Sequence, residues 1–239
     1  MKAGRWTQPL TEWDMSVIDD DFLEDIATAR WTKTTTDSGT IDVGDGRKGI
    51  ATFLPSDGSV GDNDEVYLAC VNEVFLIAGN PGKPIYGRGL IQFTEGNTDD
   101  LNVCFGFANA IAADWLIDDG GGMRASGTQA AIYKIDGGTV WRCYSRNGTE
   151  TTDTVSTTTA GGSAYQTLEI LIHDYTRTSC QIAYKVDGAF LKDTNGATIK
   201  HTLLVASAGE MQFGMGAKNG GAGTVETLLA DRLYAHQLR

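Results

Sequence analysis

The chain is short of positive charge and of proline. Lysine and arginine together number 19 against 31 aspartates and glutamates, so the 239 residues carry a formal net charge of −12. A surface of this sign repels phosphate groups and anionic lipid headgroups, which argues against nucleic acid and against a membrane surface as partners. Only four prolines occur, and no proline-rich linker divides the chain into separate halves.

Long hydrophobic runs and paired cysteines are also missing. No apolar stretch reaches the roughly 18 residues that a membrane-spanning helix needs. The N-terminal stretch MKAGRWTQPLTEWD lacks the apolar segment of a secretory signal, so we expect none there. The cysteines form no C-x-x-C pair, which favours reduced thiols over disulfides or a zinc site. They are Cys70, Cys104, Cys143 and Cys180.

Glycine, by contrast, is abundant, and many of the 30 glycines follow aspartate or asparagine. Between these pairs lie short segments of alternating character, of which Tyr165–Leu191 (YQTLEILIHDYTRTSCQIAYKVDGAFL) is the clearest. Leu168, Ile170 and Ile172 alternate there with a second set of residues, which places one set on a buried face. Asp187-Gly188 suits the positive φ angles of a tight hairpin. The sequence therefore predicts an all-β, antiparallel β-sandwich.

The pattern also divides the chain into an N-terminal arm, residues 1–18, and a single β domain, residues 19–239. Asp19–Arg30 begins with three aspartates and carries a short apolar stripe, which predicts one short helix. The threonine-rich stretch Thr151–Ala164 fits either a mobile loop or a polar edge strand. The other predicted strands are Thr32–Thr36, Gly49–Phe53, Glu65–Cys70, Ile85–Phe93, Asn102–Ala108, Gln129–Ile135, Thr139–Ser145, Tyr165–His173, Gln181–Val186, Glu210–Ala217 and Glu226–His236.

Three stretches together carry a resemblance to a known family. Ala131–Gly148 (AIYKIDGGTVWRCYSRNG) is a predicted hairpin with a tryptophan on its second strand, Tyr165–Leu191 contains a Y-x-V-D-G turn, and Glu226–Arg239 is a closing strand. In these features the chain resembles the concanavalin A-like lectin/glucanase jelly roll, especially its LamG-like form, and the jelly-roll virion proteins of tailed bacteriophages. The resemblance implies a jelly roll over residues 20–239 and a place in a capsid shell or a fibre.

Catalytic and cofactor motifs of that family are not present. Its glucanases use an E-x-D-x-x-E strand, because two carboxylates must flank the scissile bond, and no such triplet occurs. We therefore predict that the protein is not an enzyme and has no cofactor. The resemblance makes calcium a candidate ion, because domains of this family bind it through loop carboxylates. The candidate loops Asp62-Asn63-Asp64, Asp99-Asp100 and Asp118-Asp119 lack a D-x-D-x-D-G pattern, which favours solvated acids.

One loop could bind a glycan. Trp115 is an aromatic residue that could stack on a sugar ring, and Asp114, Asp118 and Asp119 could accept hydrogen bonds from its hydroxyl groups. This loop carries the alternative function, a carbohydrate-binding, lectin-like module that recognises host or surface glycans.

The principal functional prediction is a structural virion protein of a tailed phage, specifically a capsid decoration protein on the capsid surface. Trp6, Pro9 and Trp13 would anchor the arm, either to its own domain or to a neighbouring subunit. The predicted partners are the major capsid protein and further copies of the chain in a homo-oligomer, whose many weak contacts reinforce one another. Deleting residues 1–18 should then abolish attachment to particles while the sandwich stays folded.

Overall fold

The computed structural model describes residues 15–44, 49–58, 64–77, 83–95, 100–221, 223 and 225–238. These residues form two large antiparallel sheets and a small hairpin, and the predicted all-β sandwich is confirmed. Apart from a three-residue 3-10 turn at Val205–Ser207, the described parts of the chain contain no helix. No helix in these ranges is long and apolar enough to cross a lipid bilayer.

One sheet contains nine strands, numbered in chain order through the whole molecule. They are β1 (Met15–Asp20), β3 (Thr40–Gly44), β4 (Ile50–Leu54), β7 (Ile85–Thr94), β14 (Gly162–His173), β15 (Ser179–Val186), β16 (Ala189–Phe190), β17 (Lys200–Leu204) and β19 (Thr227–Leu238). Their order across the sheet is β16-β15-β14-β7-β19-β4-β3, with β1 beside β19 and β17 beside β15. The predicted closing strand is present as β19, and it lies beside β1.

The other sheet contains eight strands. They are β2 (Trp31–Thr36), β5 (Glu65–Cys70), β6 (Phe75–Leu76), β8 (Asn102–Ala108), β11 (Thr128–Lys134), β12 (Val140–Asn147), β13 (Thr151–Thr159) and β18 (Glu210–Lys218). Their order is β13-β12-β11-β8-β18-β5-β2, with β6 paired to β18. The threonine-rich stretch is thus an edge strand, β13. The short strands β9 (Leu116–Ile117) and β10 (Gly122–Met123) form a separate hairpin.

A large aromatic cluster fills the space between the two sheets. The ring of Phe213 lies 5.4 Å from that of Phe105 and 5.1 Å from that of Phe107, all three fully buried. Two glycines of β7 in the opposite sheet make room for these rings. A Cβ atom would lie 2.8 Å from the Phe107 ring at Gly87 and 2.7 Å from the Phe105 ring at Gly89. Contacts this short are sterically forbidden, so any larger residue at either glycine would force the sheets apart.

The Tyr165–Leu191 unit folds as predicted. Leu168, Ile170 and Ile172 of β14 point into the core, and β14 pairs antiparallel with β15. Asp187 and Gly188 have φ angles of 52° and 77° and form the two-residue turn between β15 and β16. This pair of positive φ angles is typical of a type I′ hairpin. The four cysteines are buried free thiols, in agreement with the sequence analysis.

The predicted helix Asp19–Arg30 is wrong. Its first two residues end strand β1, and residues 21–30 are irregular. The Asp20 carboxylate accepts a hydrogen bond from the backbone N–H of Phe22 at 2.9 Å and another from the Trp31 indole at 2.6 Å. Phe22 is fully buried with a φ of 53°, which no right-handed helix allows. Side-chain hydrogen bonding and burial of one ring therefore override the helical pattern.

The boundary of the N-terminal arm also changes. Residues 15–18, which we assigned to the arm, belong to β1 and pair with the C-terminal strand, from Met15 opposite Leu238 to Asp20 opposite Leu233. The arm residues Trp6, Pro9 and Trp13 lie outside the described residues.

Candidate functional site

The outer face of the eight-stranded sheet is covered by residues 109–127, which connect β8 to β11 and are called here the cover segment. Its apolar side chains form a second core with residues of the sheet. This second core explains why all seven residues of β8 are buried, since both faces of that strand are covered. The packed residues are Ile111, Trp115, Leu116 and Met123 of the cover segment against Tyr67, Ala69, Cys104, Ala108, Ala131, Tyr133 and Tyr144.

Trp115 is the centre of that second core. Its side chain is fully buried, its ring lies 6.1 Å from that of Tyr67 in an edge-on arrangement, and its indole N–H donates to the Gln129 side chain at 3.0 Å. A ring enclosed in this way has no face on which a sugar could stack. The predicted stacking role of Trp115 is therefore wrong, because the indole anchors the cover segment instead.

Lys218 of β18 links the cover segment to the sheet through ion pairs. Its ammonium lies 3.4 Å from the Glu65 carboxylate and 3.3 Å from that of Asp114, and it also contacts Asp118. Burial lowers the pKa of Lys218, but the hydrogen bond to Asp118 and the charge of Glu65 outweigh it, so the net pKa lies above the usual value. Two of the three predicted aspartates, Asp114 and Asp118, thus meet at a buried cation.

The Glu65 carboxylate completes this anchor. It is almost fully buried, accepts hydrogen bonds from the Tyr67 hydroxyl at 2.8 Å and from the backbone N–H of Asp114 at 2.9 Å, and faces Lys218. A buried carboxylate is stable only when its charge and lone pairs are matched in this way. The position of the cover segment is therefore set by charged groups on β5 and β18.

The tip of the cover segment is a tight turn. Asp119 and Gly120 have φ angles of 51° and 65°, and the backbone N–H of Gly121 donates to the carbonyl of Asp118 at 3.0 Å. Asp119, the third predicted aspartate, therefore serves as a turn residue. Gly120, Gly121 and Gly122 have no side chains, so only backbone atoms of this turn face the sheet. A Cβ atom at Gly122 would lie 3.5 Å from the Tyr133 hydroxyl, which is an ordinary contact distance.

Between this turn and the sheet lies a cleft of about 230 Å³, called here the Arg142 cleft. One wall is the backbone of Gly120–Gly122, and the other is formed by side chains on β11, β12 and β13. The principal side chains of that wall are Tyr133, Arg142, Tyr144 and Asp153.

Arg142, Tyr133 and Asp153 form a closed hydrogen-bonded network in the cleft. The guanidinium donates to the Tyr133 hydroxyl at 2.9 Å and to the Asp153 carboxylate at 2.9 Å, and the Tyr133 hydroxyl donates to the same carboxylate at 2.6 Å. The guanidinium also lies 5.6 Å from the centre of the Tyr133 ring. Burial, followed by the hydrogen bond to Asp153, raises the pKa of Tyr133, so the phenol stays protonated. The network fixes a cation, an anion and an aromatic ring in one place.

Sequence reasoning missed these three residues. Tyr133 lies directly opposite Arg142 in the β11–β12 register, and Asp153 lies opposite Tyr144 in the β12–β13 register. The one signal available was that Arg142 and Tyr144 alternate with the core residues Trp141 and Cys143, which assigns them to the outer face.

A buried serine–histidine pair elsewhere has a structural role. Ser145 lies 2.9 Å from His201 Nδ1, and the Tyr184 hydroxyl and Thr154 lie 3.0 Å from the two ring nitrogens. Burial lowers the pKa of His201 to about 4, so the ring is neutral at pH 7. Only 3% of His201 is exposed, which prevents the pair from reaching a substrate.

Two of the three candidate calcium loops extend beyond the described residues. Asp62, Asn63 and Asp99 lie outside the described residues. Among the residues that the structure does describe, no group of three or more His, Cys, Asp or Glu side chains is placed to hold a metal ion.

No protein-family model matches the chain, and no curated protein matches it. Several solved structures do. The potassium-bound carbohydrate recognition domain of Emp46p has a TM-score of 0.57 at 12% identity, over 90% of this chain and 94% of that one. Peanut lectin has a TM-score of 0.54 at 10% identity, over 93% and 97% of the two chains. The fold is the concanavalin A-like jelly roll.

Lectin II from Ulex europaeus shows the same concanavalin A-like jelly roll, with a TM-score of 0.54 at 9% identity over 94% of this chain and 99% of that one. The predicted fold class is thereby confirmed. Identities of 9–12% establish the fold alone. All three similar structures are lectins or carbohydrate recognition domains by name, and none of the three is a virion protein.

Proposed function

We propose that the protein is a carbohydrate-binding module and that its ligand occupies the Arg142 cleft. The observation that carries the proposal is the Arg142–Tyr133–Asp153 network, which opens onto a cleft with a backbone wall. The names of the similar lectin structures support the choice of carbohydrate as the ligand class.

The chemistry of the Arg142 cleft suits a sugar. Each hydroxyl group of a sugar is both a donor and an acceptor, so it pairs well with a guanidinium that only donates and a carboxylate that only accepts. The Tyr133 ring adds an apolar surface with a polar tip, and small apolar sites with few placed polar groups are typical of ligand pockets. Because Arg142 and Asp153 already hold each other, little side-chain entropy is lost when a ligand binds.

The size of the cleft limits the ligand. A volume of about 230 Å³ lies below the roughly 300–1,000 Å³ of pockets for drug-sized molecules. We therefore expect a single terminal sugar residue to enter it, with the rest of a glycan extending into solvent over β13.

Arg142→Gln tests the proposal. The substitution removes the charge and the fork of donors, and we expect the affinity for the bound glycan to fall by about 10- to 100-fold, because hydrogen bonds from charged groups contribute about 1.5–3 kcal/mol. The measurement is a glycan array probed with wild type and variant, followed by titration calorimetry on the best ligand. Both experiments are run with calcium and with chelator.

The matched control is Arg177→Gln, which removes an exposed arginine from the loop between β14 and β15. It should bind as wild type does. Equal binding by wild type and Arg142→Gln, with both proteins folded by thermal melting, would count against the Arg142 cleft, and an array without reproducible signals would count against carbohydrate altogether.

The capsid-decoration hypothesis remains a prediction. It rests on Trp6, Pro9 and Trp13, which lie outside the described residues, and on the resemblance to phage virion proteins. No contact among the described residues adds to it. Binding to the major capsid protein, homo-oligomer formation and a location on the capsid surface therefore stay proposals. Removal of residues 1–18, followed by a particle-attachment assay, tests them.

A further inference from the structure

The outer face of the nine-stranded sheet carries a second cleft, of about 390 Å³, on the side of the molecule opposite the Arg142 cleft. The register of β7 and β19 places its side chains in rows that run across the strands. In one row Tyr86 lies opposite His236, and in the next Arg88 lies opposite Tyr234. In the third row Leu90 lies opposite Arg232, and a bulge at Asp231 interrupts the pairing.

Tyr86 and Tyr234 form one wall of this cleft, and the ring of His236 packs beside both. The ring of Tyr86 lies 6.2 Å from that of Tyr234 and 5.6 Å from that of His236, and the last two lie 5.4 Å apart. All three are half-buried. Burial lowers the pKa of His236, and its Nδ1 atom has no hydrogen-bond partner among the described residues. The wall is therefore aromatic and uncharged at neutral pH.

Two charged neighbours of this wall are already paired. The Tyr86 hydroxyl donates to Glu169 at 2.5 Å. Arg232 donates twice to the Asp19 carboxylate, at 2.9 and 2.7 Å. These hydrogen bonds fix the orientation of the Tyr86 hydroxyl and of the Arg232 guanidinium. Among the described residues, Arg88 has no such partner, and neither has Asp231, a carboxylate that also lines the cleft.

Arg88 is an exposed arginine in the middle one of the three rows that line the cleft. It lies in register between Glu169 on β14 and Tyr234 on β19. Glu169 accepts instead from the Tyr86 hydroxyl, and no ion pair or hydrogen bond of the Arg88 side chain occurs within the described ranges. A guanidinium with its donor fork free, beside aromatic rings, is arranged to receive a planar anion.

We propose that this cleft is a second ligand site and that it binds a sugar residue bearing a carboxylate, such as a hexuronate. The carboxylate pairs with Arg88 in a bidentate geometry, and the ring packs on Tyr86 and Tyr234. A volume of about 390 Å³ lies within the usual range for small-molecule sites. The site is independent of the Arg142 cleft and of what that cleft binds.

The net charge of the chain makes the proposal specific. At −12 the protein as a whole repels anions, so a preference for an acidic sugar over its neutral counterpart can arise only from a local cation. Two cations line the cleft, and of these Arg232 is already paired with Asp19, which leaves Arg88 for the ligand.

Methyl glucuronide, methyl glucoside and sodium acetate are the probes for this site. In amide NMR titrations of the full chain, we expect the glucuronide to shift resonances of residues 86–90 and 232–236 and to bind at least about tenfold more tightly than the glucoside. Acetate should bind more weakly than the glucuronide, because it lacks the ring. Arg88→Gln should abolish the preference, Arg88→Lys should keep part of it, and Arg142→Gln should leave it unchanged.

Three outcomes would overturn the proposal. Equal affinity for glucuronide and glucoside would show that the carboxylate is not recognised. A preference that survives Arg88→Gln would show that Arg88 does not bind the carboxylate. A third is concentration-dependent shifts of the same resonances without ligand, together with a doubled mass in solution, which would mean that a second copy of the chain covers this face. Loss of glycan binding in Arg142→Gln alone would bear on the proposed function and not on this site.

Discussion

Replacing Glu226 by glutamine should leave the free energy of unfolding nearly unchanged at pH 4 and raise it by about 3–5 kcal/mol at pH 9. Glu226 immediately precedes β19 and is fully buried, and neither of its carboxyl oxygens has a hydrogen-bond partner among the described residues. Burial, followed by the charges of Glu95 and Asp100, raises its pKa to about 8, against 4.5 for the ordinary group. A protonated carboxyl therefore occupies this site in the folded protein at neutral pH.

The sign of the effect follows from this pKa. Between pH 4.5 and 8 the folded state holds a proton that the unfolded state has lost, so the contribution of Glu226 to stability is complete below pH 4.5 and declines as the pH rises. The decline ends above pH 8, where both states are ionised. Each unit of pKa difference corresponds to about 1.4 kcal/mol. Glutamine has the shape of the protonated group and cannot ionise, so the variant should lose no stability at this site as the pH rises.

Urea unfolding at pH 4, 7 and 9 checks this expectation. His201 also titrates in the acid range, but it is present in both proteins and cancels from the difference. The matched control is Glu24→Gln, an exposed glutamate, for which wild type and variant should differ by less than about 0.5 kcal/mol at every pH. A difference for Glu226→Gln that is the same at pH 4 and pH 9 would show that Glu226 is ionised in the folded state.

Lys218→Met should lower the free energy of unfolding by about 3–5 kcal/mol and release the cover segment. The ammonium of Lys218 is fully buried beside three carboxylates, and of these Glu65 is itself buried. Removing the cation leaves Glu65 buried without a counter-ion, which is the costly case for a buried ion pair. Asp114 and Asp118 lose their contacts with this cation at the same time.

The release of the cover segment has two readouts. Backbone amides of residues 112–122 should exchange with solvent faster than in wild type, and glycan binding should weaken even though Lys218 does not line the Arg142 cleft. Lys200→Met, at an exposed lysine of β17, is the control and should change neither quantity. The double variant Lys218→Met, Glu65→Gln should recover part of the lost stability. Unchanged stability and unchanged exchange in the single variant would contradict the anchoring role.

Much of the fold could be predicted from the sequence because the strands carry local signals. Glu65–Cys70 and Asn102–Ala108 were predicted with the observed bounds, since continuous apolar runs between turns are typical of strands covered on both faces. The two-residue turn at Asp187-Gly188 was predicted because aspartate followed by glycine suits the positive φ angles of a tight hairpin. Short strands without a periodic pattern, such as β3 (Thr40–Gly44) and β17 (Lys200–Leu204), were missed.

The candidate site was only partly predictable. The sequence pointed to the loop that contains Trp115, and residues Gly120–Gly122 of that loop line the Arg142 cleft. The role of the tryptophan was wrong because burial is decided by what the segment packs against, here Tyr67 and the rest of the second core. The Arg142 cleft depends on the registers of β11, β12 and β13, and those registers join residues about 10–20 positions apart through pairings that no local pattern specifies.

The decisive test of carbohydrate binding in the Arg142 cleft is the structure of the protein in complex with the best glycan from the array. We expect a terminal sugar to lie in the Arg142 cleft against the backbone of Gly120–Gly122, with hydroxyl groups within about 3 Å of the Arg142 guanidinium and the Asp153 carboxylate. A glycan bound at any other surface, with the Arg142–Tyr133–Asp153 network untouched, would contradict it.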